Sequence, residues 1–207
     1  LLALRRNLNA YAAAATNGAW SRAGNFCLHN WPIEDLAGST LGIIGGGTLG
    51  QSVAKLGTAF GMRALLAERR SAPLRPGRVA FEQVLAEADV LSLHVPLTPA
   101  TRNLIGVTEL AYMKSSAILI NSARGGVVDE VALVEALRAG LLAGAAVDVL
   151  TTEPPPADHP LVSANLPNLL VTPHIAWASR QAQQRMADEV VENIAAFLRG
   201  EHRNRVV

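Results

Sequence analysis

Three glycines of this 207-residue chain have the spacing of a phosphate-binding turn. Gly45, Gly47 and Gly50 follow the order G-x-G-x-x-G and lie between an apolar run and a helical pattern. The first glycine would make a tight turn, the second would let the backbone approach a pyrophosphate, and the third would let the helix pack on the strand. The phosphate would lie on free N–H groups at the helix start. The alternative is a glycine-rich turn without a ligand.

An acidic residue strengthens the prediction of a dinucleotide site. Glu68 ends the next apolar run, 18 residues after Gly50, close to the roughly 20 residues expected for a carboxylate that binds the adenosine ribose hydroxyls. A carboxylate repels the 2′-phosphate of NADP, so the sequence favours NAD. Arg69 and Arg70 follow at once, and guanidinium groups bind phosphate, so NADP stays an alternative unless these arginines belong to a solvated loop.

A histidine supplies a group that can exchange a proton near neutral pH. His174 follows a Thr-Pro corner in "VTPHIAWAS", residues 171–179. It is either a proton-transfer group at the mouth of a site or a packing histidine. His29, His159 and His202 have no spacing that suggests a metal site, and no metal is expected.

The elements that would position these residues predict an α/β fold with a doubly wound parallel sheet. Apolar runs predict strands at 41–45, 63–67, 89–95, 117–121, 144–149 and 168–172, and helical patterns lie at 48–60 and 129–140. Continuous apolar strands separated by helices are typical of a parallel sheet covered on both faces. Ligands bind such sheets outside the carboxyl ends of the strands. Before the sheet, an alanine-rich segment predicts one helix that ends at Asn17-Gly18.

The composition is that of an ordinary soluble globular protein. Half of the residues are hydrophobic and the formal net charge is +1, so nothing calls for nucleic acid or an anionic membrane as a partner. The least charged stretch, from Leu36 to Ala54, lacks the apolar density of a membrane span. Cys27 is the single cysteine, which fits a reducing compartment and a cytoplasmic location.

Three later segments carry a family resemblance: "INSARGGVVDE" (120–130), "AVDVLTTEPPP" (146–156) and "VTPHIAWAS" (171–179). With the glycine turn, they resemble the NAD-binding domain of the D-isomer-specific 2-hydroxyacid dehydrogenases along essentially the whole chain. The His-x-Ala-Trp-x-Ser ending is most similar to the glycerate dehydrogenase/hydroxypyruvate reductase branch. The resemblance implies a Rossmann-type fold and an oxidoreductase that transfers a hydride between NAD(P)H and a small 2-keto or 2-hydroxy acid, similar to glyoxylate, hydroxypyruvate or glycerate.

The resemblance places the catalytic set on Arg124, Glu153 and His174. An arginine can hold a substrate carboxylate through its two-pronged guanidinium, and a histidine can donate the proton that joins the carbonyl oxygen. A glutamate beside the imidazole would orient it and favour its protonated form. Each residue also has an ordinary alternative: a loop arginine before two glycines, a solvated glutamate before prolines and a structural histidine.

The same resemblance implies the contacts of the cofactor. Asp148 would contact the nicotinamide carboxamide, or else cap a turn, and His94 would line the adenosine side with Val95 and Pro96, or else pack at a strand end. Trp177 would form a wall of the substrate pocket, or else belong to the core. The implied cofactor-binding residues are Gly45, Gly47, Thr48, Leu49, Gly50, Glu68, His94, Val95, Pro96, Ser122, Ala123, Arg124, Asp148, His174 and Ala176.

The resemblance also implies the domain organisation. Residues 1–37 would form an interdomain helix and a dimerisation arm, with the arm in "GAWSRAGNFCLHNWPIEDLAG" (18–38), and residues 38–207 would form the NAD(P)-binding domain of a homodimer. Family members carry a second, discontinuous domain that supplies backbone donors for the substrate. This chain resembles the cofactor half alone, so we expect it to be inactive by itself.

One rival function shares the fold and the Arg-Glu-His set. Corepressor-like modules of this type bind a dinucleotide as sensors and act through a partner protein, and fold alone does not separate the two functions. The chain has no segment resembling a partner-binding insertion, which favours the enzyme. The identity of the 2-keto acid stays open, with a phosphoglycerate-type substrate among the alternatives.

Overall fold

The computed structural model describes residues 1–205, so the last two residues of the C-terminal "EHRNRVV" segment and of the predicted 38–207 domain lie outside the described residues. The chain forms two compact units, Leu1–Thr172 and a second unit that begins at Pro173. The strands are β1 (Thr40–Ile44), β2 (Arg63–Leu66), β3 (Val90–Leu93), β4 (Ile118–Asn121), β5 (Gly144–Val147) and β6 (Leu169–Val171). The helices are α1 (Leu2–Arg5), α2 (Leu8–Thr16), α3 (Ala19–Arg22), α4 (Thr48–Ala59), α5 (Phe81–Glu87), α6 (Val107–Tyr112), α7 (Glu130–Arg138), α8 (Pro160–Ser163) and α9 (Arg180–Leu198).

The six strands form one parallel sheet in the order β2-β1-β3-β4-β5-β6. This confirms the predicted α/β fold, and every predicted apolar run contains a strand. The order in which the chain adds strands to the sheet reverses at β1. The strand β2 lies on one side of β1, and all later strands lie on the other side. A crevice opens outside the carboxyl ends of the strands at such a reversal.

Apolar side chains are buried on both faces of the sheet, which explains why the central strands are continuous apolar runs. One cluster joins strand residues such as Leu91 and Leu119 to α5, α6 and α7. A smaller cluster contains Leu41, Ile43 and Met62 and packs with Val53 of α4. Helices on both faces therefore fix the strands, and the strands fix the loops that follow them.

The local sequence of helix α7, which lies beside the site, determines where this helix begins and ends. The Asp129 carboxylate accepts a hydrogen bond of 3.0 Å from the backbone N–H of Ala132 and caps the helix, as a side chain at this position is expected to do. The helix ends at Arg138, and Gly140 then adopts a positive φ of 68°, which glycine tolerates without strain.

The alanine-rich segment contains two helices, so the prediction of one continuous helix is wrong in its interior. Asn7 separates α1 from α2 with a left-handed φ of 47°, and its side-chain amide donates to the carbonyl of Pro32 at 2.6 Å. The predicted end is confirmed, since α2 stops at Thr16. The Tyr11 hydroxyl donates to the carbonyl of Trp31 at 2.6 Å. The predicted dimerisation arm (18–38) therefore contacts α2 at Trp31.

The second unit contains α9, whose N-terminus is capped by the Ser179 hydroxyl, an acceptor for the N–H of Ala182 at 3.1 Å. Across residues 1–205, no helix combines the length and the apolar character that a membrane span requires.

Candidate functional site

The glycine turn after β1 is packed too closely for side chains at two of its positions. Gly45 has a φ of 101°, and a Cβ atom there would lie 2.2 Å from the carbonyl oxygen of His94. A Cβ atom at Gly50 would lie 1.9 Å from the carbonyl oxygen of Gly45. A Cβ atom at Gly47 would meet no atom within 4 Å. The turn is therefore closed towards β3 and open at Gly47, where a ligand can approach the backbone.

The start of α4 is suited to an anion. Gly47 is the N-cap residue and supplies no side chain to satisfy the first N–H groups of this 12-residue helix, so these donors are available to a phosphate. The Arg78 side chain donates from Nη2 to the carbonyl of Gly46 at 3.3 Å, which places a guanidinium beside the turn. Residues 45–50 and Arg78 thus fit the pyrophosphate of a dinucleotide. The sequence prediction did not include Arg78, because its local sequence carries no signal of this contact.

Glu68 is buried at the end of β2 and forms an ion pair with Arg75. The Arg75 Nε and Nη2 atoms donate to the two carboxylate oxygens, each at 2.7 Å, and the N–H of Arg69 donates at 2.8 Å. The hydrogen bonds from the Arg75 side chain and the Arg69 backbone lower the pKa of Glu68 to about 2. Glu68 is thus a carboxylate at neutral pH, and its charge is offset by an arginine that the sequence prediction did not consider.

Arg70 is engaged on the side of the sheet covered by α5 and α6. Its guanidinium bonds the Glu109 carboxylate, lies 3.7 Å from Glu82, and stands 5.2 Å from the centroid of the Phe81 ring. These contacts give Arg70 a structural role. Arg75, and not Arg70, is therefore the arginine that most directly affects the charge at the end of β2.

His94 follows β3 directly beside the glycine turn. The side chain is half-buried, with Nε2 2.9 Å from the hydroxyl of Ser92, and burial lowers the pKa of the imidazole. At neutral pH the ring is therefore uncharged. Val95, the next residue, also lies against the turn, since its Cγ1 would be 2.9 Å from a Cβ atom at Gly45. The segment from His94 to Pro96 thus borders the crevice, and its adenosine contacts stay a prediction.

A buried asparagine organises the loop that carries Arg124. Asn121, the last residue of β4, is 2% exposed; its Oδ1 accepts from the N–H of Ala123, and its Nδ2 donates to the carbonyl of Arg124, both at 3.1 Å. Arg124 is exposed, and its Nη1 donates to the carbonyl of Ala123 at 2.6 Å. Asn121 was counted only as part of a strand; a polar residue at the end of a buried apolar run was the available indication of its role.

The Arg124 loop contacts the turn that carries Glu153. A Cβ atom at Gly125 would lie 1.9 Å from the carbonyl oxygen of Leu150 and 2.6 Å from the backbone nitrogen of Thr151. The N–H of Leu150 donates to the Glu153 carboxylate at 2.8 Å, which closes the turn over residues 150–153. The loops after β4 and β5 are therefore packed backbone to backbone, and glycine is the residue that permits this contact.

Asp148 lies at the end of β5 with 7% of its surface exposed. Its Oδ1 accepts a hydrogen bond from the Thr172 hydroxyl at 2.5 Å, which ties the carboxylate to the residue that follows β6. The sequence places Thr172 at the end of a predicted strand and in the Thr-Pro corner, but it does not predict this contact with Asp148. Asp148 thus lies where the crevice-side loops begin, and its contact with nicotinamide stays a prediction.

His174 and Ala176 belong to the second unit and are both exposed. His174 has a left-handed φ of 52°, a conformation that is uncommon for residues other than glycine and that concentrates at functional sites. The indole Nε1 of Trp177 donates to the carbonyl of His174 at 3.0 Å. This bond fixes the backbone of the turn that presents the imidazole.

Comparison with known proteins identifies the family. The model for the NAD-binding domain of D-isomer specific 2-hydroxyacid dehydrogenases matches residues 1–176. The chain belongs to this family. The glycerate dehydrogenase of Methylorubrum extorquens is 50% identical over 206 residues, which cover 100% of this chain and 65% of that protein. The hydroxypyruvate reductase of Blautia hydrogenotrophica is 34% identical over 97% of this chain and 63% of its own length. Both agree with the predicted branch of the 2-hydroxyacid dehydrogenases.

A solved structure supports the same assignment. The D-isomer specific 2-hydroxyacid dehydrogenase of Lactobacillus delbrueckii subsp. bulgaricus, in its NAD-complexed form, matches with a TM-score of 0.82 at 30% identity, over 99% of this chain and 65% of that one. The chain thus contains a Rossmann-type NAD-binding domain and spans slightly less than two thirds of the length of these 2-hydroxyacid dehydrogenases. Relatives named as dehydrogenases and reductases do not favour the corepressor-like alternative.

Proposed function

We propose that this chain is the cofactor-binding part of an NAD(P)-dependent enzyme that interconverts small 2-keto acids and D-2-hydroxy acids. The observation that carries the proposal is the contact at Gly125, which joins the Arg124 loop to the Glu153 turn. An anion-binding turn and two candidate catalytic side chains follow strands of the same parallel sheet. This arrangement provides both requirements of the reaction, a dinucleotide site and polar groups for a keto acid.

Arg124 would hold the substrate. Its guanidinium can bind a carboxylate with two parallel hydrogen bonds, and its positive charge can polarise the adjacent carbonyl as negative charge develops on the oxygen. The bonds from Asn121 fix the backbone of the loop, so the loop does not have to be ordered when the substrate binds. When bound, the nicotinamide supplies the hydride.

His174 would donate the proton that reaches the carbonyl oxygen, as an imidazole can do near neutral pH. Glu153 would orient that imidazole and stabilise its protonated form. The left-handed turn at His174 and the closed turn over residues 150–153 support these roles, because each holds its side chain on a defined backbone.

The cofactor set proposed from the sequence begins at the glycine turn, includes residues after β3, β4 and β5, and also includes His174 and Ala176. Thr48 and Leu49 begin α4, Ser122 and Ala123 precede the arginine, and Asp148 would bind the carboxamide. Glu68 would bind the ribose hydroxyls, which favours NAD, while Arg75 beside it supports some use of NADP.

The substrate would be a two- or three-carbon 2-keto acid such as glyoxylate or hydroxypyruvate. Relatives named glycerate dehydrogenase, hydroxypyruvate reductase and glyoxylate reductase support this choice. Residues 1–37 would form the interdomain helix and the dimerisation arm, and residues 38–207 the NAD(P)-binding domain of a cytoplasmic homodimer. The packing of the arm against α2 through Tyr11 and Trp31 supports an ordered arm.

A direct test measures NADH oxidation by the full-length natural gene product with glyoxylate, hydroxypyruvate, pyruvate and a phosphorylated keto acid. We expect turnover with the first two substrates, and Arg124→Gln should raise the KM for the keto acid more than it changes the Kd for NADH. NADH binding without turnover of any keto acid would contradict the enzymatic function and favour a sensor.

A further inference from the structure

A glutamate outside the predicted site holds the turn that carries Glu153. Glu130 is the first residue of α7, and its side chain is 10% exposed. Its Oε1 accepts from the backbone N–H of Thr151 at 2.8 Å, and its Oε2 accepts from the Thr151 hydroxyl at 2.6 Å. Both carboxylate oxygens are therefore directed at one residue of the turn, and hydrogen bonds to an ionised acceptor are among the stronger ones in proteins.

A buried histidine lies behind this glutamate. His159, whose side chain is 5% exposed, has its Nε2 3.1 Å from the Oε2 of Glu130, a close polar contact that lacks the direction of an aligned hydrogen bond. Its Nδ1 accepts from the N–H of Leu161 at 3.3 Å and caps α8. An acceptor role for Nδ1 places the proton on Nε2, because a neutral imidazole carries one donor and one acceptor. The Nε2–H of His159 therefore lies beside the Glu130 carboxylate as a close electrostatic contact, without an aligned hydrogen bond.

Helix capping does not account for Glu130. An acidic residue in the first turn of a helix interacts favourably with the helix dipole, but Asp129 already caps α7 through the N–H of Ala132. The Glu130 carboxylate instead reaches across to a residue 21 positions away. Its partner Thr151 lies within the turn closed by Glu153, and the backbone nitrogen of Thr151 is one of the atoms against which Gly125 packs.

We infer that Glu130, oriented by His159, is a positioning residue for the active site. It fixes Thr151, and through Thr151 it sets the backbone that presents Glu153 and that supports the Arg124 loop at Gly125. The inference rests on the proposed function, since it concerns residues that act through Arg124 and Glu153. Neither Glu130 nor His159 belongs to the glycine turn or to the Glu68 ion pair, so their loss should affect keto-acid reduction far more than dinucleotide binding.

The first test compares Glu130→Ala with Glu135→Ala in the full-length natural gene product. Glu135 lies on the same helix and pairs with Arg138 on the surface, so it is a matched control. Glu130→Ala should lower kcat about tenfold or more, because the turn that carries Glu153 loses the bonds that position it and small displacements of catalytic groups have large effects on rate. The Kd for NADH should change much less. Glu130→Gln, which keeps one carbonyl oxygen for Thr151, should recover part of the loss.

A second test distinguishes the roles of the two ring nitrogens of His159, Nδ1 and Nε2. The amide oxygen of asparagine can take the place of Nδ1 and cap α8, whereas the amide nitrogen of glutamine reaches the position of Nε2 beside Glu130. We expect His159→Gln to retain more activity than His159→Asn. If the histidine served only to cap α8, the order would be reversed, and the inference would be wrong.

Amide hydrogen exchange distinguishes failure of the inference from failure of the proposed function. Exchange in a peptide that covers residues 148–156 should be about tenfold faster in Glu130→Ala than in Glu135→Ala, since the Thr151 amide loses its acceptor. This result can be obtained even if the unmodified protein reduces no keto acid, an outcome that would refute the function alone. Unchanged exchange together with unchanged kcat in Glu130→Ala would refute the positioning role.

Discussion

Arg75 and Glu68 form a two-pronged ion pair at the carboxyl end of β2, with both hydrogen bonds at 2.7 Å. A carboxylate that is paired in this way presents less negative charge to its surroundings than an isolated one. The charge that should exclude the 2′-phosphate of NADP is therefore partly neutralised within the domain itself. We therefore expect the choice between NAD and NADP to depend on both Glu68 and Arg75.

Arg75→Ala should raise the preference for NADH over NADPH by about tenfold, because the released carboxylate can bind the ribose hydroxyls and repel a phosphate more strongly. Fluorescence titration of both cofactors gives the two dissociation constants. Arg63→Ala is the control, since Arg63 pairs with Glu87 at the opposite end of β2. Glu68→Ser should reduce the preference for NADH. Tighter binding of NADPH than NADH by the unmodified protein would show that the arginines dominate.

His174→Ala should reduce the rate of keto-acid reduction in the full-length natural gene product by about 10²–10⁴, which is the usual contribution of a positioned general acid. The Kd for NADH should stay nearly unchanged. Stopped-flow measurement of NADH oxidation gives the rate, and a parallel titration gives the affinity. A loss of affinity comparable to the loss of rate would assign the histidine to cofactor binding instead.

Glu153→Gln should move the upper pH limit of reduction to lower pH. In the proposed mechanism the carboxylate would favour the protonated imidazole of His174, and a neutral amide would remove that stabilisation. The measurement is kcat/KM for the keto acid as a function of pH, with Thr152→Ala as the control from the same exposed turn. An identical pH profile for Glu153→Gln and the unmodified enzyme would show that Glu153 does not act on His174.

Gly125→Ala should impair reduction strongly while NADH still binds. The added Cβ atom would lie 1.9 Å from the carbonyl oxygen of Leu150, so the Arg124 loop and the Glu153 turn must separate. We expect kcat to fall by about 10² or more, as small displacements of catalytic groups have large effects on rate. Thermal unfolding of the variant, measured with and without NADH, would show whether the domain still binds its cofactor.

A chain restricted to these 207 residues should bind NADH and reduce hydroxypyruvate or glyoxylate at a rate too low to detect. The glycine turn, Glu68 and Asp148 are all within it, whereas the second domain known from the family would supply backbone donors to the substrate and exclude water. The same sample should be titrated with NADH and then assayed with keto acid. Robust turnover would overturn the proposed domain organisation.

The sheet and the position of the crevice could be predicted from the sequence because each depends on patterns local to the chain. Apolar runs predicted the strands, whereas the candidate roles of Arg124, Glu153 and Asp148 came from the family resemblance. The break at Asn7 was not predictable in this way, since it depends on a hydrogen bond to Pro32, 25 residues away.

The charged contacts around the site were the least predictable part. Arg75, Arg78 and Glu130 lie in ordinary polar segments, and nothing in their local sequence distinguishes them from solvated surface residues. Their roles arise from distant partners: Arg78 reaches Gly46 and Glu130 reaches Thr151. Sequence patterns locate backbone elements well, but they do not show which long side chains meet across the loops.

The parallel sheet fixes the distance between the loops at the carboxyl ends of its strands, as well as the edge of the sheet at which they lie. The glycine turn follows β1 and the arginine loop follows β4, with β3 between them, so the two loops begin about 10 Å apart at a strand spacing of roughly 4.8 Å. Hydrogen bonds between the backbones of neighbouring strands set this separation. If the proposed function is correct, loop substitutions can change which acid is accepted while the span between the two binding loops stays the same.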